Sequence, residues 1–137
     1  MIEIKFRGLM TTGEWVYGLP HLDLPKSTLY FNECSYRICW NPESGGQSNA
    51  PIKNGTLGQF TGLTDKNGVE IYEGDICRAE FRGLDGITVI QGHIIMDEFM
   101  WCIDCTGFIG DDIFSINRPH NFEVIGNIHE NPELLNK

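Results

Sequence analysis

Nowhere do eighteen apolar residues run together, so no segment reads as a membrane-spanning helix. The opening MIEIKFRGLM alternates apolar and charged residues and lacks the apolar core of a secretory signal. From both features the chain is expected to stay in the cytoplasm where it is made. Cations are also scarce: 10 Lys plus Arg face 19 Asp plus Glu, for a net charge of −9. Nucleic acid is bound chiefly by neutralising phosphates, and the pairs Lys5/Arg7 and Arg78/Arg82 are too far apart in sequence, and too poor in interleaved aromatics, to build that surface. The five cysteines are an odd number and, in a reducing compartment, need not pair. By the same logic the sequon Asn54-Gly55-Thr56 never meets the glycosylation machinery.

Catalytic templates are missing as well. There is no G-x-S-x-G elbow, and Gly45 and Gly46 precede no Lys-Ser or Lys-Thr, which leaves a phosphate cradle without its frame. TDKNG resembles a calcium loop, but counting from Asp65 puts Gly68 at position four and Ile76 at position twelve, where an EF-hand needs its glycine at six and a glutamate at twelve. Glu70, Glu73 and Asp75, and the pair Asp111 and Asp112, include neighbours that a strand would send to opposite faces, and Glu73-Gly74-Asp75 reads better as a bend, with Gly74 relieving backbone strain and Asp75 bonding local amides. His93, His120 and His129 have no nameable partner and read as structural or exposed residues. The best-defined metal alternative is zinc. Cys102 and Cys105 have C-x2-C spacing, and Cys34 and Cys39 could complete a four-thiolate site if the halves fold together. The strand-like MWCIDC, however, turns its two thiols to opposite faces, so ordinary buried cysteines are the favoured reading and neither metal nor cofactor is expected.

What the chain does have is β-pattern. Ile2, Ile4 and Phe6 alternate with Glu3, Lys5 and Arg7, Gly8 to Gly13 read as a turn, and EWVYGL resumes as the second arm of a hairpin. Pro20 and Pro25 mark the exit, where strand pairing is hard to continue. LYFNECSYRICW, residues 29–40, fits neither period cleanly, and NPESGGQSNAP, residues 41–51, reads as a mobile loop by composition. Five β-rich runs follow at residues 70–81, 87–98, 100–105, 112–116 and 122–129, and a single helical turn is expected at 132–135, with Asn131 as its cap and Pro132 in its first turn. The fold expected is mainly β, with a β-rich N-terminal part at 1–67 joined to an SH3-like barrel at 68–137. In GQFTGLTDKNGVEIYEGDI, Phe60 and Leu63 should anchor the N-terminal part, residues 65–68 should turn with Asn67 or Gly68 at positive φ, and Ile71, Tyr72 and Ile76 should open the barrel.

Three segments, IEIKFRG through TGEWVYG, GQFTGLTDKNGVEIYEGDI and FEVIGNIHENPELL, together resemble the YopX family of phage and prophage proteins. The resemblance implies an SH3-like C-terminal half and a phage or prophage origin, and it supplies no reaction and no catalytic residue. Function is therefore expected to rest on binding a host or phage protein. The alternatives are a nucleic-acid-binding barrel, by fold analogy alone, and an enzyme whose site forms between domains or subunits. Exposed strand edges make a homo-oligomer plausible.

Overall fold

A computed structural model of the chain describes residues 3–22, 36–106 and 113–135. Among them the chain forms β1 (Phe6–Leu9), β2 (Trp15–Leu22), β3 (Tyr36–Trp40), β4 (Ser48–Pro51), β5 (Gly58–Thr64), β6 (Glu70–Tyr72), β7 (Asp75–Gly83), β8 (Gly86–Asp97), β9 (Met100–Asp104), β10 (Ile113–Ser115) and β11 (His120–Asn127), followed by a 3-10 turn at Pro132–Leu135. The fold is mainly β, built from antiparallel sheets. It divides into two compact units, Met1–Phe60 and Thr61–Lys137, and the chain passes from one to the other within β5.

In the first unit the strands lie in the order β4-β3-β2-β1-β5. Val16, Ile38 and Ile52 form its core, with Phe6, Met10, Trp40 and Leu57 packed around them. The alternation that began at Ile2 was expected to carry the first strand, yet Ile4 is exposed and pairing runs instead from Phe6 to Leu9. Gly8, expected in the turn, lies within β1 opposite Val16, where a side chain would overlap Ile52. Pairing also continues through Pro20, which sits opposite Ile38. That proline lies beyond the last β1 partner, Gly18, so β2 has one neighbour there, and alternate residues of an antiparallel ladder need no N–H toward that neighbour. Residues 41–51 are not all loop: Ser48–Pro51 pairs with β3, with Cys39 opposite Asn49, and the turn glycines Gly45 and Gly46 have φ of 95° and 78°. Gly, Ser and Pro in that stretch reflect a hairpin turn, and composition alone does not separate such a turn from the short strand beside it.

The second unit contains a five-stranded sheet in the order β10-β9-β8-β7-β11, while β6 hydrogen-bonds with β5. Its core is Ile71, Cys77, Ala79, Ile90, Ile94, Ile103, Cys105 and Ile116. The 70–81 run is broken into two strands by a tight turn in which Gly74 has φ of 91° and the Tyr72 N–H donates to Asp75 Oδ2 at 2.7 Å. Closure into an SH3-like barrel is not observed, because the described strands form open sheets. The outer edge of β11 is already engaged: Lys66 N–H donates to the Phe122 carbonyl, and Val124 N–H donates to Asp65 Oδ2. Leu63, expected as an anchor, is exposed, whereas Phe60, Ile71, Tyr72 and Ile76 are buried.

The turn at 65–68 explains the dense polar pattern in its stretch. Asp65 Oδ1 accepts from Asn67 N–H at 2.8 Å and from Val69 N–H at 2.9 Å, and Gly68 takes the left-handed conformation at φ 82°. Nothing lies near a Cβ placed at Gly68, so the effect of Gly68→Ala comes from backbone strain alone. The variant is expected to lose about 1 kcal/mol, read by urea denaturation. At the far end, Asn127 Oδ1 accepts from the His129 and Glu130 N–H groups, and Leu134 N–H bonds to the Asn131 carbonyl to form the 3-10 turn. Asn131 was expected as a side-chain cap. Its Oδ1 points back instead to the Asn127 N–H at 3.3 Å.

Candidate functional site

The second unit has a shallow cleft of about 370 Å³ beside the Asp65 turn, lined by Asp65, Lys66, Asn117, His120, Asn121 and Phe122 among others. Asn121 bends the chain there at φ 55°, and its Nδ2 donates to Glu80 Oε2 at 3.0 Å. Burial alone would raise the Asp65 carboxyl, but the amides of Val124, Val69 and Asn67, with the Lys66 charge, hold it below its usual range. A carboxylate that already accepts from three amides and resists protonation is a poor general base, so its role here is structural. Lys66 in turn pairs with Glu123 at 3.3 Å.

A second group lies on the face of the five-stranded sheet opposite the core. His93 is the register partner of Asp104, and Cys102, two residues before Asp104, shares that face. These are the residue types of a thiol protease. The chemistry does not follow, because burial first, then the charges of Asp97 and Glu98, push the Cys102 thiol up instead of activating it. Its Sγ donates to the Met100 carbonyl at 3.7 Å. For Asp104, burial is outweighed by Thr106, whose N–H donates at 2.9 Å, and by His93, so this carboxyl is lowered. The Nδ1 atom of His93 is buried without a hydrogen-bond partner.

The cysteines considered for zinc fall as follows. Cys34 lies outside the described residues, as do Asp111 and Asp112. Cys39 is half-buried in β3 of the first unit. Cys105 belongs to the core of the second unit, and Cys102 is buried on the other face of the sheet. Among the described residues, no three His, Cys, Asp or Glu side chains gather into a metal-binding group. Of the acids near the Gly74 turn, Asp75 is buried and serves the Tyr72 amide, and Glu70 accepts from the Tyr72 hydroxyl at 3.4 Å.

Two apolar features remain at the surface. In the first unit, Trp15, Val16, Tyr17 and Trp40 line a cleft of about 300 Å³, with the Arg7 guanidinium 4.4 Å above the Trp15 ring. In the second, the β8–β9 hairpin closes through the pair Asp97 and Met100, leaving Glu98 and Phe99 as a two-residue loop. Both loop residues have positive φ, 47° and 66°, the signature of a type I′ turn, which normally takes Asn-Gly. Phe99 is fully exposed (100%), and Met96 and Met100 beside it are also exposed.

The model of the YopX protein family matches residues 5–136. The chain belongs to the YopX family. Among solved structures, it is similar to the crystal structure of protein EF1440 from Enterococcus faecalis, at 25% identity and a TM-score of 0.51, over 98% of this chain and 99% of that one. No curated protein matches significantly. No helix among the described residues of this YopX chain is long and apolar enough to cross a membrane.

The segments that carried the resemblance have architectural roles in this YopX chain. The first forms the β1–β2 hairpin, the second runs from β5 through the Asp65 and Gly74 turns into β7, and the third is β11 with the Asn127 turn and the 3-10 turn. Within the third, a side chain at Gly126 would come within 2.6 Å of Asn131 Oδ1. Sequence reasoning missed Phe99. Its one available signal was an apolar residue between two strand runs, at a position where polar turn residues are usual.

Proposed function

We propose that this YopX chain is a non-catalytic interaction module that binds a protein of the bacterial host or of the phage. The observation that carries the reading is Phe99, a large aromatic held fully in solvent in a left-handed conformation that disfavours it. Such strain persists where presentation of the side chain is useful, and aromatic side chains dominate the energetics of protein interfaces. Phe99→Gly removes the ring and supplies the residue that a type I′ turn prefers at its second position. The variant should be as stable as the parent or more so, by up to about 1 kcal/mol in urea unfolding. Affinity capture of the tagged chain from its host, compared between parent and variant, tests the function. A protein retained by the parent and lost by Phe99→Gly supports the reading; equal recovery, or no reproducible partner, overturns it.

A further inference from the structure

We infer that the partner contacted by the β8–β9 tip presents an apolar socket bordered by Lys or Arg, and that this partner is not a second copy of the chain. The inference rests on the interaction reading above and adds the chemistry of the other surface. Phe99 is preceded directly by two exposed acids, Asp97 and Glu98, and among the described residues neither has a Lys or Arg at ion-pair distance. Their charge is felt nearby, since both raise the Cys102 thiol after burial has done so. The tip therefore combines an apolar knob, flanked by Met96 and Met100, with two carboxylates that no Lys or Arg among the described residues pairs.

A surface that receives this knob must desolvate the ring and meet the two carboxylates. Cationic groups at the border of an apolar pocket do both, and misplaced like charges are penalised heavily. The same carboxylates repel an anionic lipid leaflet, which selects for basic anchors. Two copies of a chain with net charge −9 also repel each other, and the tip would add to that repulsion. A basic protein surface is what remains.

The test uses the full chain with photoreactive benzoylphenylalanine at position 99, irradiated in the host bacterium, and identification of the cross-linked peptide. Binding of that purified partner is then measured for the parent, Glu98→Lys and Glu98→Gln at two or more salt concentrations, with thermal unfolding confirming that each variant is folded. The expected result is an apolar contact peptide with Lys or Arg beside it, about tenfold weaker binding by Glu98→Lys, a smaller loss for Glu98→Gln, and weakening as salt rises. Cross-linking to a second copy or to lipid overturns the inference. So does a partner whose affinity ignores both Glu98 and salt, although that outcome leaves the interaction reading standing. Absence of any cross-link at position 99 counts against both.

Discussion

Asp65→Asn is expected to lower the stability of the second unit by about 2 kcal/mol at neutral pH and to loosen β11. Asp65 is 7% exposed, and its two oxygens accept from three amides, those of Asn67, Val69 and Val124. Asparagine keeps one acceptor, enough for the local turn through Asn67 and Val69. Its NH2 group would then face the Val124 N–H, donor against donor, and leave that half-buried amide without a partner. The damage should therefore concentrate on β11, far away in sequence, and hydrogen exchange at the Val124 amide should accelerate more than at Val69.

The acid response gives an independent check. Because the folded carboxyl is held below the unfolded value of about 3.9, Asp65 stabilises the fold fully above that pH, and its contribution is lost as pH falls through the folded value. The stability gap between parent and Asp65→Asn should be constant from pH 7 to about pH 5 and shrink below about pH 4. A gap independent of pH down to acid unfolding would show that the carboxylate charge does not matter. Equal exchange at Val124 in both proteins would dismiss the cap on β11.

Asp65 also shows where sequence reasoning succeeds and stops. The turn at 65–68 and the bend at Gly74 were legible because Asp, Asn and Gly act there on their nearest backbone neighbours. The strand runs from Glu70 onward were legible because period-two alternation and short turns are local signals too. The bond from Asp65 to Val124 spans 59 positions and leaves no local trace, so an acid that caps a sheet edge looked like an acid in a turn. Barrel closure was misjudged for the same reason: five short strands fit a barrel, but whether the last edge pairs with a strand or is engaged by another segment is a long-range fact. The short strand at Ser48–Pro51 was hidden by its hairpin-turn composition, and Phe99 was hidden because propensity argues against an aromatic at positive φ. Local rules of this kind fail where structure is strained for use, so the miss at Phe99 is itself a pointer to function.

Gly92→Ala should be among the most damaging single-methyl changes in the chain, with a loss of about 3 kcal/mol. Gly92 lies between Ile90 and Ile94 on the core face of β8, a position where an apolar side chain would be the default. A Cβ there would overlap the carbonyl oxygen of Asp104 and sit 2.7 Å from its carbonyl carbon and 3.1 Å from Cys105 Cα. These are backbone atoms, at the point where the chain leaves β9 to bury Cys105, and no rotamer change can move them aside. Relief requires β9 to separate from β8, which disturbs the His93–Asp104 pair and exposes Cys105. Gly83→Ala in the adjacent β7 is the control: its φ is not left-handed and nothing lies within 4 Å of the new methyl, so it should change stability by less than about 0.5 kcal/mol. For a unit of this size the Gly92 variant should lower the melting temperature by roughly 12 °C or more, and Cys105 should become reactive to thiol reagents under conditions where the parent protects it. Indistinguishable melting curves for the two variants would mean that the close approach of β9 to Gly92 does not exist in solution, and the packing of Cys105 into the core would fall with it.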